Sequence, residues 1–167
     1  RITNMALAKE WMRKDPFYGY KMAQDETDPV FLTYPELKSI MEKEFTIPRL
    51  ALVRDIFVFA AFTGLAFANV STLTKDNLVQ DNNGDWWIRK GRVKLERRHR
   101  ASSVCNIPLL PVPLAILKKY EEHPICRKKS LCLPVICNQR MNSYLKEIAD
   151  LCNIRKTLTT HTAQHSK

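Results

Sequence analysis

Two histidines near the end of the chain, His161 and His165, are four positions apart, a spacing that places both side chains on one face of a helix. Zinc proteases use this spacing, but they need a glutamate directly after the first histidine, where this chain has Thr162. A metal site is therefore not predicted. With only four glycines the chain has no glycine-rich phosphate loop, and the acidic residues near the N-terminus form no catalytic pair: Asp15, Asp25 and Asp28. Nuclease and nucleotidase activities are disfavoured.

The second group of candidate residues is a cluster of cations within one short segment: Arg89, Lys90, Arg92, Lys94, Arg97, Arg98 and Arg100. The whole chain carries 27 Lys and Arg against 17 Asp and Glu, a formal net charge of +10. Such an excess suits a polyanionic partner, with nucleic acid first and an anionic membrane surface second. The alternative is that the cluster is a solvated basic loop without a partner.

The overall composition is that of a soluble globular protein. Of the 167 residues, 45% are hydrophobic, and no apolar run is long enough to span a membrane. The chain begins with Arg1 rather than Met, so we expect it to be part of a longer protein. The five cysteines are an odd number without a C-x-x-C pair, which disfavours a disulfide framework or a zinc site and favours a reducing cytosol.

The candidate residues must be positioned by the apolar segment from Leu52 to Leu78. Its apolar residues recur at three- and four-residue intervals and predict a central buried helix. Thr63-Gly64 interrupts the pattern, and a second short helix is predicted from Ala66 to Leu73. We expect the corner between the two helices to form a phosphate site.

The remaining elements make the domain mainly α with one small antiparallel sheet, an α+β fold. Thr33-Tyr34-Pro35-Glu36 is a capping box that starts a helix ending near Phe45. Strands are predicted at Trp86–Ile88, continuing into the basic segment, and at Val104–Ile107, with a turn at Asn82–Asp85. Further predicted helices are residues 3–14, 109–120 and 138–152 and a last one from His161, capped by Thr159 or Thr160, whereas 124–134 is predicted as loop.

Five blocks of this sequence resemble, in order and spacing, the catalytic domain of tyrosine recombinases, the phage-integrase family: RDIFVFAAFTGLAFANVSTLT, WWIRKGRVKL, NIPLLPVPLAILKKY, NQRMNSYLKEIADLCNI and LTTHTAQH. They look most like integrases of conjugative transposons and prophages. The resemblance covers residues 31–165. It implies a division into 1–28, the end of a core-binding domain with its linker, and 29–167, a catalytic domain lacking its C-terminal helices.

The resemblance implies site-specific DNA recombination through a covalent 3′-phosphotyrosine. A tyrosine attacks the scissile phosphate, two arginines stabilise its charge, a lysine protonates the leaving 5′ oxygen and a histidine assists proton transfer. It also implies double-stranded DNA as partner, a homo-tetramer on DNA for the full-length family, no cofactor, no metal, no membrane and a bacterial, cytoplasmic, nucleoid-associated location.

The implied catalytic positions are only partly filled by the family's residue types. The first arginine position holds Ala66, and the second holds Gln164, within the block from His161 to His165. His161 matches the catalytic histidine. Lys94 best matches the lysine, with Lys90 or Arg100 as alternatives, and a phosphate contact as its other possible role.

Two departures from the family leave the activity open. Losing one charged donor to a transition-state oxyanion costs about a hundredfold or more in rate, so Ala66 and Gln164 together would be severe. No tyrosine of this sequence matches the nucleophile, which the resemblance places after Lys167. The first hypothesis is an integrase, the second is a truncated or decayed recombinase that binds DNA without cleaving it, and the third is an unrelated basic nucleic-acid protein.

Overall fold

The computed structural model describes residues 2–20, 30–91 and 104–166, without the side chain of His165. Its helices are α1 (Ile2–Ala8), α2 (Tyr34–Glu42), α3 (Pro48–Thr63), α4 (Phe67–Val70), α5 (Pro111–Tyr120), α6 (Pro124–Lys129), α7 (Asn138–Leu151) and α8 (Thr162–His165). A 3₁₀ turn, Lys75–Asn77, precedes three strands: β1 (Leu78–Gln80), β2 (Trp86–Gly91) and β3 (Val104–Pro108). The predicted α+β architecture is confirmed.

The fold is organised around α3. Pro48 begins this helix, where the missing amide donor is not needed, and Gly64 ends it in the left-handed conformation with φ of 65°. The predicted apolar stripe underestimates its burial, because every residue from Asp55 to Ala61 is buried. Helices α2, α5, α7 and α8 all pack against α3, so it forms the centre of the core.

A corner follows α3 as predicted, although the second helix is shorter than expected. Gly64 turns the chain, Leu65 is buried, and Ala66 is the cap residue before α4. The helix runs only from Phe67 to Val70, because Ser71 and Thr72 turn their hydroxyls back onto the carbonyl oxygen of Ala68.

The sheet is antiparallel with strand order β1-β2-β3. Ile88 at its centre is fully buried and lies opposite Leu78 on one side and Ile107 on the other. The predicted turn at Asn82–Asp85 is present: one carboxylate oxygen of Asp81 accepts from the amides of Asn83 and Asp85, both at 2.9 Å. Sequence analysis missed β1, which is three residues long.

Three local predictions differ from the structure. Residues 124–129 form α6, not loop, because Pro124 is suited to a first helical position and the His123 ring accepts from the Ile125 amide. Helix α1 ends at Ala8, short of the predicted residue 14, since Glu10 has a φ of 57°. The predicted domain boundary near residue 28 lies outside the described residues and stays a prediction.

The described part of the chain contains no helix with both the length and the hydropathy needed to cross a bilayer.

Candidate functional site

The turn that carries His161 is fixed to the first two turns of α7. The amide of Thr160 donates to Asn142 Oδ1, and its hydroxyl donates to Asn138 Oδ1, both at 2.8 Å. Asn138 and Asn142 are four residues apart and so share one face of α7. Sequence analysis missed this pair. The available signal was the four-residue spacing of two asparagines at the start of an amphipathic helix, which places both on one face. Two side-chain contacts therefore set where His161 lies.

Hydroxyl groups hold the start of α8. Thr159 and Thr162 form a reciprocal pair of hydrogen bonds. The amide of Thr159 donates to Thr162 Oγ1 at 3.2 Å, and the amide of Thr162 donates to Thr159 Oγ1 at 3.3 Å. Ser166, which is 2% exposed, donates to the carbonyl of Thr162 and accepts from the amide of Leu32, both at 2.8 Å. The hydroxyl of Thr159 thus accepts from the first amide of α8, but the cap residue of α8 is His161, whose side chain makes no cap hydrogen bond, and not the predicted Thr159 or Thr160. The segment before α2, at Leu32, is therefore hydrogen-bonded to the end of the helix that follows His161.

His161 and Gln164 contact each other within this turn. His161 Nδ1 lies 3.2 Å from Gln164 Oε1, with the histidine exposed and the glutamine half-buried. Because an amide oxygen only accepts, this contact is a hydrogen bond in the tautomer that carries its proton on Nδ1. Gln164 thereby orients the histidine through its oxygen, while its only donor is an uncharged amide group.

The corner at Ala66 contains a buried acceptor without a donor. Ala66 presents a methyl group where the resemblance implies a guanidinium, and its carbonyl accepts from the amides of Asn69 and Val70 at 2.8 and 3.0 Å. One turn further on, Asn69 Oδ1 is the buried side-chain polar atom of the described residues that has no hydrogen-bond partner. Buried polar atoms are normally paired, so this corner can accept a hydrogen bond that the side chain of Ala66 does not supply.

Ala66 and His161 belong to elements that meet on the same face of α3. Phe67 and Val70 of α4, with Thr160 and Ala163 on either side of His161, line one small cavity of about 10 Å³ against Ile56, Phe57 and Ala60 of α3 and Met141 of α7. The apolar packing is nearly complete there. The residues that follow Ala66 and those that flank His161 therefore pack against the same part of α3.

The basic segment is only partly described. On β2, Arg89 is exposed, whereas Lys90 is half-buried and donates from Nζ to the carbonyl of Thr72 and to Asn77 Oδ1. The side chain of His165 lies outside the described residues. So do the other predicted cations of the basic segment, which are Arg92, Lys94, Arg97, Arg98 and Arg100.

Tyr120 is one of the tyrosines that sequence analysis set aside as a nucleophile, and its surroundings agree with that. Its hydroxyl donates to Asp55 Oδ2 at 2.8 Å, and burial, together with this hydrogen bond, raises the pKa of Tyr120 far above its usual value. Asp55 also accepts from Arg54 Nε at 2.8 Å and Lys119 Nζ at 2.7 Å. Sequence analysis missed this network, in which Lys119 and Tyr120 lie 64 and 65 positions from Asp55 in the chain.

Neither the cysteines nor the described acids and histidines form a metal centre. No group of three metal-ligating side chains exists among residues 2–20, 30–91 and 104–166. The five cysteines form no disulfide. Burial raises the pKa of Cys126 and Cys152 and raises that of Cys132 to about 11, so these three are protonated thiols near neutral pH.

Two comparisons by sequence find no match for this chain. No protein-family model matches it, and no curated protein matches it significantly. The likeness to known proteins therefore rests on the three-dimensional arrangement.

That arrangement is the catalytic-domain fold of tyrosine recombinases. The lambda integrase dimer bound to a COC′ core site matches with a TM-score of 0.68 and 13% identity over 96% of this chain and 56% of that one. The XerH recombinase in a post-cleavage complex with palindromic difH substrate matches at 0.65 and 18%, over 89% and 43%. The Tn1549 transposon integrase with circular intermediate DNA matches at 0.63 and 17%, over 98% and 60%. This chain spans about half the length of these proteins.

Proposed function

We propose that this chain is the catalytic domain of a site-specific tyrosine recombinase, which cuts and rejoins duplex DNA through a covalent 3′-phosphotyrosine. The observation that carries the proposal is that the residues after Ala66 and those around His161, which belong to two of the five matched blocks, pack against the same part of α3 within this fold. The formal charge of +10 supports a polyanionic partner. The three similar structures are complexes with DNA.

Three of the candidate residues have roles that suit their chemistry. Lys94 protonates the leaving 5′ oxygen, since an ammonium gives up a proton more readily than a guanidinium. His161, oriented by Gln164, assists proton transfer. The amide of Gln164 donates a hydrogen bond to a non-bridging oxygen. The attacking tyrosine is the one that the resemblance places after Lys167, and in the full-length family four protomers act on two duplexes.

The second candidate function is DNA binding without cleavage, and the two uncharged positions favour it. A phosphoryl transition state gathers charge on its non-bridging oxygens, and a charged donor there is worth about 3–4 kcal/mol. Ala66 supplies no donor and Gln164 supplies a neutral one. If nothing replaces them, the two losses would slow cleavage by roughly 10⁴-fold or more while binding through the basic segment persists.

Salt dependence tests the feature that both functions share. The affinity for a 30-base-pair duplex of arbitrary sequence is measured by fluorescence anisotropy between 50 and 200 mM salt. Each phosphate neutralised by a cation adds about 0.9 to the slope of log affinity against log salt. A steep slope is expected from the basic segment. An affinity that does not change over this range would contradict DNA binding and with it both functions.

Covalent trapping then separates the two functions. The full-length protein is incubated with duplex DNA recovered by selection for tight binding, and adducts that survive SDS are counted. An adduct that is lost in Lys94→Ala, while binding stays within a few-fold, supports recombination. Tight binding without any adduct, together with an adduct in the Ala66→Arg/Gln164→Arg variant, supports the non-cleaving function. Equal losses of binding and cleavage in Lys94→Ala would reduce Lys94 to a phosphate contact.

A further inference from the structure

Lys90 lies on the core-facing side of β2. Successive side chains of a strand point to opposite faces, so Lys90 shares a face with Ile88, which is fully buried, while Arg89 points to the other face and is exposed. The ammonium of Lys90 is thus directed toward the protein. Its neighbour Arg89, with the same charge and one position away, is directed toward solvent and provides a matched comparison.

The Lys90 ammonium has two protein acceptors on the segment that follows α4. Nζ donates to the carbonyl of Thr72 at 2.5 Å and to Asn77 Oδ1 at 3.1 Å. Asn77 Oδ1 also faces the amide and the hydroxyl of Thr74 at 3.1 and 3.3 Å. An amide oxygen has two lone pairs, so these three donors share Asn77 Oδ1, and the carbonyl of Thr72 is the second acceptor of the ammonium. We call Lys90, Thr72 and Asn77 the hairpin anchor.

The hairpin anchor joins two parts of the candidate site. Lys90 pairs with Cys105 in the β2–β3 ladder, at the base of the segment that carries Lys94 four positions later. Thr72 follows directly on the turn that ends α4, the helix that begins after Ala66. A contact between Lys90 and Thr72 therefore fixes the base of the basic segment relative to the Ala66 corner.

We propose that Lys90 is a positioning residue, which holds β2 and its exposed Arg89 against the segment that follows the Ala66 corner, and that it does not contact DNA. The inference rests on the proposed function, because it assigns a role in the same site. It separates two cations that are adjacent in sequence: Arg89 is available to a phosphate, whereas the charge of Lys90 is used within the protein.

The salt dependence of duplex binding distinguishes the two roles. Lys90→Met is expected to weaken binding to the 30-base-pair duplex roughly tenfold with an unchanged salt slope, because the same cations contact phosphates in the complex and only the free-energy cost of ordering β2 on binding rises. Lys90→Arg, which keeps a donor cation, is expected to restore most of the affinity. A control, Arg89→Met, is expected to lower the slope by about 0.9. A similar fall in slope for Lys90→Met would overturn the proposal.

Hydrogen exchange of the protein without DNA tests the anchor independently of the proposed function. Lys90→Met and Asn77→Ala are each expected to speed amide exchange in the β2–β3 ladder about tenfold or more, with no further effect when combined, while α3 exchanges as in the wild type. Unchanged exchange in the ladder would overturn the anchor. If the wild type fails to bind duplex DNA while the ladder responds as expected, the proposed function fails and the anchor stands as a purely structural contact.

Discussion

Replacing Asp55 with asparagine removes a charge from the centre of the protein with almost no change in shape. The residue is 5% exposed on α3, and its two carboxylate oxygens accept from Arg54, Lys119 and Tyr120 at 2.7–2.8 Å. Asparagine keeps one acceptor but turns an amide donor toward groups that are themselves donors. We expect Asp55→Asn to fold with a markedly lower free energy of unfolding.

The magnitude follows from the exposure of the three partners. Hydrogen bonds to a charged group contribute about 1.5–3 kcal/mol each, and a partner exposed to solvent contributes less. The side chain of Lys119 is 52% exposed, whereas that of Arg54 is 16% exposed and Tyr120 is buried. The last two therefore dominate, and the expected loss is about 3 kcal/mol, or roughly 6–12 °C in the melting temperature.

Urea unfolding followed by circular dichroism measures this loss as a shift in midpoint at constant m-value. Glu42→Gln is the matched control, since it removes the same charge from an exposed pair with Lys38 at 3.6 Å, and we expect a change below about 0.5 kcal/mol. Lys119→Met should cost less than about 1 kcal/mol. The reasoning would be refuted if Asp55→Asn matched the control, or if Lys119→Met cost as much as Asp55→Asn.

Three further predictions concern titration and packing. A hydrogen bond from Lys156 at 2.7 Å lowers the pKa of Glu36, so its contribution is present above about pH 4.5 and lost on acidification; Glu36→Gln should flatten the fall in urea midpoint between about pH 5 and 3. The raised pKa of Tyr120 makes stability fall above about pH 10, where the unfolded tyrosine ionises; ultraviolet titration should show one tyrosine that ionises only on unfolding, and Tyr120→Phe should remove it. Leu145 is fully buried on α7, and Leu145→Ala should cost about 2–5 kcal/mol in urea unfolding.

The elements that could be predicted from sequence are those specified by local signals. Pro48 and Gly64 mark both ends of α3, and the apolar spacing between them is continuous. The cap at Thr33 and Glu36 begins α2 through a 2.7 Å hydrogen bond between neighbours in sequence. Each of these signals acts within a few residues, so the chain carries it whether or not the rest of the fold is known.

The elements that were missed depend on contacts between distant residues or on weak local signals. β1 is only three residues long and is defined by pairing with β2, in which Leu78 lies opposite Ile88. α6 is only six residues long, and a segment of that length carries no apolar periodicity that would distinguish a helix from a loop. The hairpin anchor joins residues 13 and 18 positions apart, and the Asp55 network joins residues up to 65 positions apart. Contacts at these separations leave no local sequence pattern by which they could be predicted.

The candidate site also contains residues that a local motif identified and residues that only distant contacts reveal. His161 and Gln164 were identified because they lie within one short motif, but their supports, Asn138 and Asn142, became visible only in the structure. None of these supports needs a charge at Gln164, and the packing beside Ala66 is made of apolar side chains from α3, α4, α7 and α8. The fold is thus stabilised independently of the two residues on which the rate of cleavage would depend most. Similarity of fold therefore does not decide between the two proposed functions, and only a trapped covalent adduct separates them.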